Sequence, residues 1–195
     1  MMKILNATKI AAAIIGALLL SACSRQAPLA YYQLPPVAAA QSHTADIKLN
    51  PARQLWIESV TVADFLSVPG IAYQTSAVQY TIANNNVWGS SLEQQLKQSL
   101  IDNLNGALNG WMVSTQPVGE SSDALRVMVS GFHGRYDGYA VVSGYWLLQR
   151  GEQVTRRPFN IELPLQKDGY DELVHVLAQA WQQEAVEIAK SVDHK

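Results

Sequence analysis

Apolar and polar positions alternate most sharply over residues 55–62. There Leu55, Ile57, Ser59 and Thr61 point one way and Trp56, Glu58, Val60 and Val62 the other, which is the period of a half-buried strand. Upstream, Tyr31-Tyr32 has strand character that Pro35-Pro36 ends. Residues 37–50, rich in Ala, Gln and Ser, read as a loop. Residues 65–71 read as an apolar loop broken at Pro69-Gly70, and residues 77–83 as a strand closed by Asn84-Asn85-Asn86. The period changes at Ser90, because Ser90-x-x-Glu93 is a capping box ahead of Leu92, Leu96, Leu100, Ile101, Leu104 and Leu108. Gly110 is placed to terminate this helix.

A short strand is expected over residues 111–116, then three longer ones over residues 124–136, 139–149 and 154–165. Asp137-Gly138 and Arg150-Gly151 fall where tight hairpin turns would join them. Pro158 and Pro164 assign the last strand to an edge. A second helix is expected from an N-cap near Asp168 to about Val192, with Leu173, Leu177, Ala180, Trp181, Ala185 and Ile188 as its apolar stripe. Glu184 interrupts that stripe on the side grading into solvent. The pattern predicts a single α+β domain of about six mostly antiparallel strands with two amphipathic helices packed on the sheet.

Composition narrows this picture. The 195 residues are 48% hydrophobic, which excludes disorder as the main state, and 15% charged, with a net charge of −2. A weakly acidic chain lacks the basic face of a nucleic-acid binder. One cysteine excludes an intramolecular disulfide and a multi-cysteine metal site.

That cysteine has a context. Lys3 and Lys9 precede eleven residues, 10–20, without a polar side chain. The run is too short to span a bilayer core of about 30 Å and has the length of a signal-peptide core. Leu20-Ser21-Ala22-Cys23 follows and resembles a bacterial lipobox; an ordinary secretory leader with an incidental Cys is the alternative. On the lipobox reading residues 1–22 are a signal peptide, residues 23–30 a lipidated tether, and residues 31–193 the folded domain. Removing the leader takes Lys3 and Lys9 with it and leaves a net charge of −4. The resemblance implies an S-diacylglycerol and an N-acyl group on Cys23 and no other cofactor. Several acyl chains anchor a protein firmly where one does so marginally. Ser24 stands where inner-membrane lipoproteins carry Asp, which implies the periplasmic face of the outer membrane.

Catalytic chemistry finds little support. His43 lies in the N-terminal loop, His194 in the tail, and His175 off the stripe of the second helix. His133, Arg135 and Asp137 share one strand face with Ser130 nearby, but residues two apart on a strand point in parallel and do not converge as a triad requires. A polar strand face is the expectation for them. Arg156-Arg157 is too small a basic patch to bind nucleic acid or lipid headgroups alone. No metal site is expected, and the chain reads as a non-enzyme. Trp56, Trp111, Trp146 and Trp181 are expected in the core. The loop through Phe65, Leu66, Val68 and Ile71, with Tyr73 and Tyr80 after it, falls where the chain should be exposed. Exposed apolar neighbours mark a partner-binding surface; folding back as a lid over the core is the competing arrangement.

Four segments carry a family likeness: Tyr31-Tyr32-Gln33-Leu34-Pro35; residues 56–71 ending in Val68-Pro69-Gly70-Ile71; Asn86-Val87-Trp88; and Phe132-x-Gly134 through Gly138 to Trp146. With the closing helix over residues 170–189 they resemble the ABC-type transport auxiliary lipoproteins across nearly the whole mature chain. Val87 is a departure, since many relatives carry Arg there. The resemblance implies an outer-membrane-anchored periplasmic domain that docks an MCE tunnel protein of the Pqi type. It also implies a ring-shaped homo-oligomer that helps lipids pass between the two membranes and supports membrane integrity. An envelope-integrity lipoprotein that binds another outer-membrane assembly without handling lipid is the second expectation, and an envelope hydrolase the third.

Overall fold

The computed structural model describes residues 28–36, 49–50, 52–117 and 122–194. The leader, Cys23, His43 and most of the loop 37–50 lie outside the described residues. The spine of the sheet is β6, Asp123–Arg135. Along one edge it pairs antiparallel with β7, Tyr139–Arg150, which in turn pairs antiparallel with β8, Gln153–Pro164. The turns are those expected from sequence: Gly138 and Gly151 have φ of +84° and +56°, a region glycine enters without steric cost. Among the described residues β8 pairs with β7 alone, the edge position its prolines foretold.

The other edge of β6 is shared. Its first half pairs in parallel with β2, Gln54–Val62, from Leu55↔Asp123 to Val62↔Val129. Its far end pairs in parallel with β3, Gly70–Gln74, at Tyr73↔Gly134 and Gln74↔Arg135. A one-turn 3-10 helix, Asp64–Leu66, lies between β2 and β3. β5, Met112–Ser114, extends the sheet beside β2. β4, Tyr80–Trp88, pairs antiparallel with β3, and β1, Ala30–Tyr32, parallel with β4. Among the described residues eight strands therefore stand where about six were expected, most of their paired residues in antiparallel ladders.

Two irregularities correct the sequence pattern. A bulge between Ile57 and Ser59 makes Glu58 an extra residue. The phase shifts, so Val60 and Val62 are buried with Leu55 and Ile57 and not opposite them. In β4, four residues, Ala83 to Asn86, oppose the single Ile71 of β3 between Gly70↔Val87 and Ala72↔Ile82. The Asn84-Asn85-Asn86 run thus arches off β3 inside a strand and does not close one. Asn86 pairs there with Ala30 of β1 and accepts a 3.1 Å hydrogen bond from the Tyr32 hydroxyl at Oδ1.

Both helices, α1 (Leu92–Ala107) and α2 (Tyr170–Asp193), cover one face of this sheet. Leu96, Leu100 and Leu104 of α1 meet Leu177, Ala180, Trp181 and Ile188 of α2 in a single core with Leu125, Phe132 and Trp146. The cap of α1 is Ser91, one residue later than expected, whose Oγ accepts from the Gln94 backbone N–H at 3.3 Å. Glu93 turns away from the cap and accepts from the Val62 N–H at 3.2 Å, tying the helix start to β2. Ser91→Ala is expected to cost about 1 kcal/mol, seen as a lower urea midpoint with unchanged m-value. α2 begins after Gly169, at φ +117°, and not at an Asp168 cap. Asp171 and Glu172 in its first turn complement the helix dipole.

Candidate functional site

The segment between β2 and β3 was expected to offer a partner surface. Its backbone is tightly held. Ala63 donates to the Val129 carbonyl at 2.9 Å, Leu66 to Ala63 at 2.8 Å, and the Pro69 carbonyl accepts from Trp88 at 2.7 Å. These bonds turn the 3-10 helix inward and decide where its side chains go. Leu66 and Ile71 are fully packed in the core, which corrects the expectation that both face a partner. The segment is mostly the lid that was the competing arrangement. Phe65 is half-buried, its ring 4.9 Å from that of Tyr80. Tyr73 is half-buried, its hydroxyl donating to the Arg135 carbonyl at 3.0 Å. Its ring crosses β6 at Gly134, where a Cβ would sit 2.6 Å from it, so this glycine is what the close approach requires. Val68 alone of the five is exposed, at 39%.

The same lid explains His133, which is buried and not on an open polar face. The Tyr80 ring stands edge-on to it at 5.0 Å, and Nδ1 lies 3.0 Å from the Gly134 carbonyl. Burial holds its pKa below the ordinary histidine value; the Gly134 contact opposes that shift and Arg135 adds to it. Ser130 and Asp137 are not brought to it. Ser130 Oγ is 3.2 Å from Ser143 Oγ, and Asp137 accepts from Arg135 Nε at 2.8 Å. Arg135 also reaches Glu162 at 2.7 Å, so this end of the sheet is an ion-paired surface. His175 is exposed on α2. Among the described residues no group of three or more His, Cys, Asp or Glu could hold a metal ion, and no helix is long and apolar enough to cross a membrane.

A second polar cluster, missed in the sequence, lies where α2 crosses β7 and β8. Glu184 is only 4% exposed, so its place on a solvent-grading side is corrected. Its Oε1 accepts from Trp146 Nε1 at 2.8 Å. Burial pushes its pKa up to about 7, against the Trp146 hydrogen bond and the Arg157 charge, with Glu187 adding to the rise. Beside it opens a cleft of about 500 Å³ lined by Trp146, Arg157, Glu187 and Lys190 among others. Its cations are engaged: Arg157 donates to Ser191 Oγ and lies over Trp146, and Lys190 pairs with Glu187 at 2.7 Å. Arg150, expected only as a turn residue, closes the end of α2 by donating to the Val192 and His194 carbonyls while pairing with Asp123. Nothing in the sequence beyond the position of Glu184 in an apolar stripe signalled this cluster.

Residues 32–189 match the family described as the ABC-type transport auxiliary lipoprotein component. The chain is 49% identical over 179 residues to the intermembrane transport lipoprotein PqiC of Escherichia coli K12, covering 91% of this chain and 94% of that one, and equally to that of Shigella flexneri. A crystal structure described as an uncharacterized protein, 50% identical, superposes with a TM-score of 0.76 over 85% of this chain and 99% of its own. A second crystal structure, of protein XCC0632 from Xanthomonas campestris, shares the fold at 18% identity, with a TM-score of 0.60 over 74% of this chain and 89% of its own.

Proposed function

The chain belongs to the ABC-type transport auxiliary lipoproteins, a transport family and not an enzyme family, and from that premise we propose how it serves transport between membranes. The observation that carries the reading is its 49% identity, over nearly its whole length, to proteins named as intermembrane transport lipoproteins. It is a lipoprotein component of such a system. In the fuller reading Cys23 is acylated and holds the domain at the periplasmic face of the outer membrane. There the domain docks an MCE tunnel protein of the Pqi type, as a ring-shaped homo-oligomer, and passes lipid between the membranes. Val68, with the outer edges of Phe65 and Tyr73, is the part of the lid left to touch a partner; Leu66 and Ile71 support it from below.

The direct test is the mass of the full-length protein in detergent, alone and mixed with the MCE tunnel protein. A discrete oligomer that gains the mass of the tunnel is expected. A monomer indifferent to the tunnel, but retained by another outer-membrane assembly, would transfer the protein to the envelope-integrity reading. Cys23→Ser is expected to abolish anchoring, with the variant moving from the membrane to the soluble fraction and the acyl mass lost. A variant still in the outer-membrane fraction would remove Cys23 from its role.

A further inference from the structure

The lobe formed by β1, β3 and β4 carries no formal charge. Residues 28–36 contain no Asp, Glu, Lys or Arg, and neither do residues 65–92, between Asp64 and Glu93. At 15% charged, a stretch of that length would carry about four charges on average, and this one carries none. The lobe is not simply core, since it displays large apolar side chains to solvent. Leu29 is 50% exposed, Tyr31 68%, and Val78, in the turn joining β3 to β4, 85%.

The lobe is also where the chain comes in from Cys23. Cys23 and Leu29 are six residue steps apart, a reach of at most about 20 Å even when fully extended. The 13-residue spine β6 is roughly 40 Å long. The lobe joins that spine at Gly134–Arg135, its far end. A lipid on Cys23 therefore keeps the lobe near the bilayer, whereas the β7–β8 turn at the other end of the spine stands away from it. β1 runs parallel to β4, so the chain upstream of Ala30 departs in the direction from which β4 comes. Val78 lies beyond the start of β4 on that side. It follows β3 whereas Val68 precedes it, which leaves Val68 to a protein partner.

The geometry points to this uncharged lobe as a second, non-covalent contact with the lipid surface, made through Leu29, Tyr31 and the Val78 turn. A tyrosine fits the headgroup level, where its ring is apolar and its hydroxyl stays wet. The lobe's own residues bring no charge to be desolvated in that layer. The charges nearest to it, Asp171 beside Tyr32 and the Arg135–Asp137–Glu162 set at the end of β6, belong to the rest of the domain, and the latter are already paired. The contact is apolar and not electrostatic, so added anionic lipid does not strengthen it. The domain is then oriented on the membrane, with the lobe down and the β7–β8 turn toward the periplasm. The inference rests on acylation of Cys23.

Because Cys23 is the only cysteine and its thiol is consumed by the lipid, single free thiols can be placed at will. Leu29→Cys, Val78→Cys and Val154→Cys, the last exposed in β8 beside the β7–β8 turn, are each made in the full-length lipoprotein. Each is labelled with nitrobenzoxadiazole and reconstituted in phosphatidylcholine vesicles with brominated acyl chains, with and without phosphatidylglycerol. Severalfold stronger quenching and a blue-shifted emission at position 29 or 78 than at 154, unchanged by phosphatidylglycerol, are expected. Water-like emission at both positions, in protein that still floats with the vesicles, would overturn the lipid contact while sparing the anchor. Emission that turns apolar only as protein density rises would overturn it in favour of a contact between protein chains. Protein that fails to float, with Cys23 itself taking the label, would remove the anchor and this inference together.

Discussion

Trp181→Ala is expected to lower stability by about 4 kcal/mol, since truncating a buried Trp costs roughly 3–5 kcal/mol. The indole is wholly buried where α2 meets α1 and the sheet. Its ring centroid is 6.3 Å from that of Phe159 in β8, and its Nε1 donates to the Leu96 carbonyl of α1 at 3.2 Å. One side chain thus joins both helices to the edge strand. Domains of this size have only about 5–15 kcal/mol in total, so the loss is a large share of it. Trp181→Phe, which keeps most of the volume and drops the hydrogen bond, is expected to cost less than half as much. Urea denaturation of both variants is the measurement. A shift for Trp181→Ala below about 1 kcal/mol would mean the α1–α2 interface is not packed as described.

The second large effect is a pH dependence controlled by Glu184. Its carboxyl faces Trp146 from β7 and Arg157 from β8, with Glu187 along its own helix. Burial raises its pKa to about 7, above the value near 4.3 of an unfolded glutamate. The folded state therefore holds this proton over a range where the unfolded state has released it. Stability is unpenalised below about pH 4.3, falls as pH rises toward 7, and levels off above it, by about 3–4 kcal/mol in all. Glu184→Gln keeps an oxygen to accept from Trp146 and cannot ionise. It is expected to match the wild type at pH 4 and to exceed it by about 2–3 kcal/mol at pH 8. Urea midpoints at the two pH values decide the matter. Parallel curves would show that Glu184 is ionised and solvated at neutral pH.

Legibility in the sequence followed length and regularity. The β6–β7–β8 meander could be read almost to the residue, because long alternating strands were punctuated by Gly138 and Gly151, each needed for a positive φ. β3 could not, because Gly70-Ile71-Ala72 has no polar position to set a period and both its sides are covered. The bulge at Glu58 is invisible to a method that assumes strict alternation. Ser90 and Ser91 both satisfy the cap, and only the demand of the Val62 N–H for Glu93 separates them. His133 and Glu184 were misplaced for a shared reason. A polar residue reads as exposed unless one knows which aromatic ring closes over it, and Tyr80 and Trp146 arrive from distant strands. Leu66 and Ile71 erred the opposite way, as apolar residues in what looked like a loop. The family resemblance held over residues 32–189 because its motifs mark these tertiary joints, among them Gly134 beneath Tyr73.

The position of β6 also dictates the order in which the chain can assemble. The strand on which both halves of the sheet depend arrives after residue 122, whereas β2 pairs with it from Leu55 onward. Its neighbours β7 and β8 are joined through turns of two or three residues and close quickly. Within the first half β3 pairs with β4, β4 with β1 and β2 with β5, but the ladders that join these pieces to one sheet, β2 and β3 on β6, wait until the second half has been made. The local β6–β7–β8 meander is therefore expected to form before β2 and β3 dock on it, leaving the edges of those earlier strands open in the meantime.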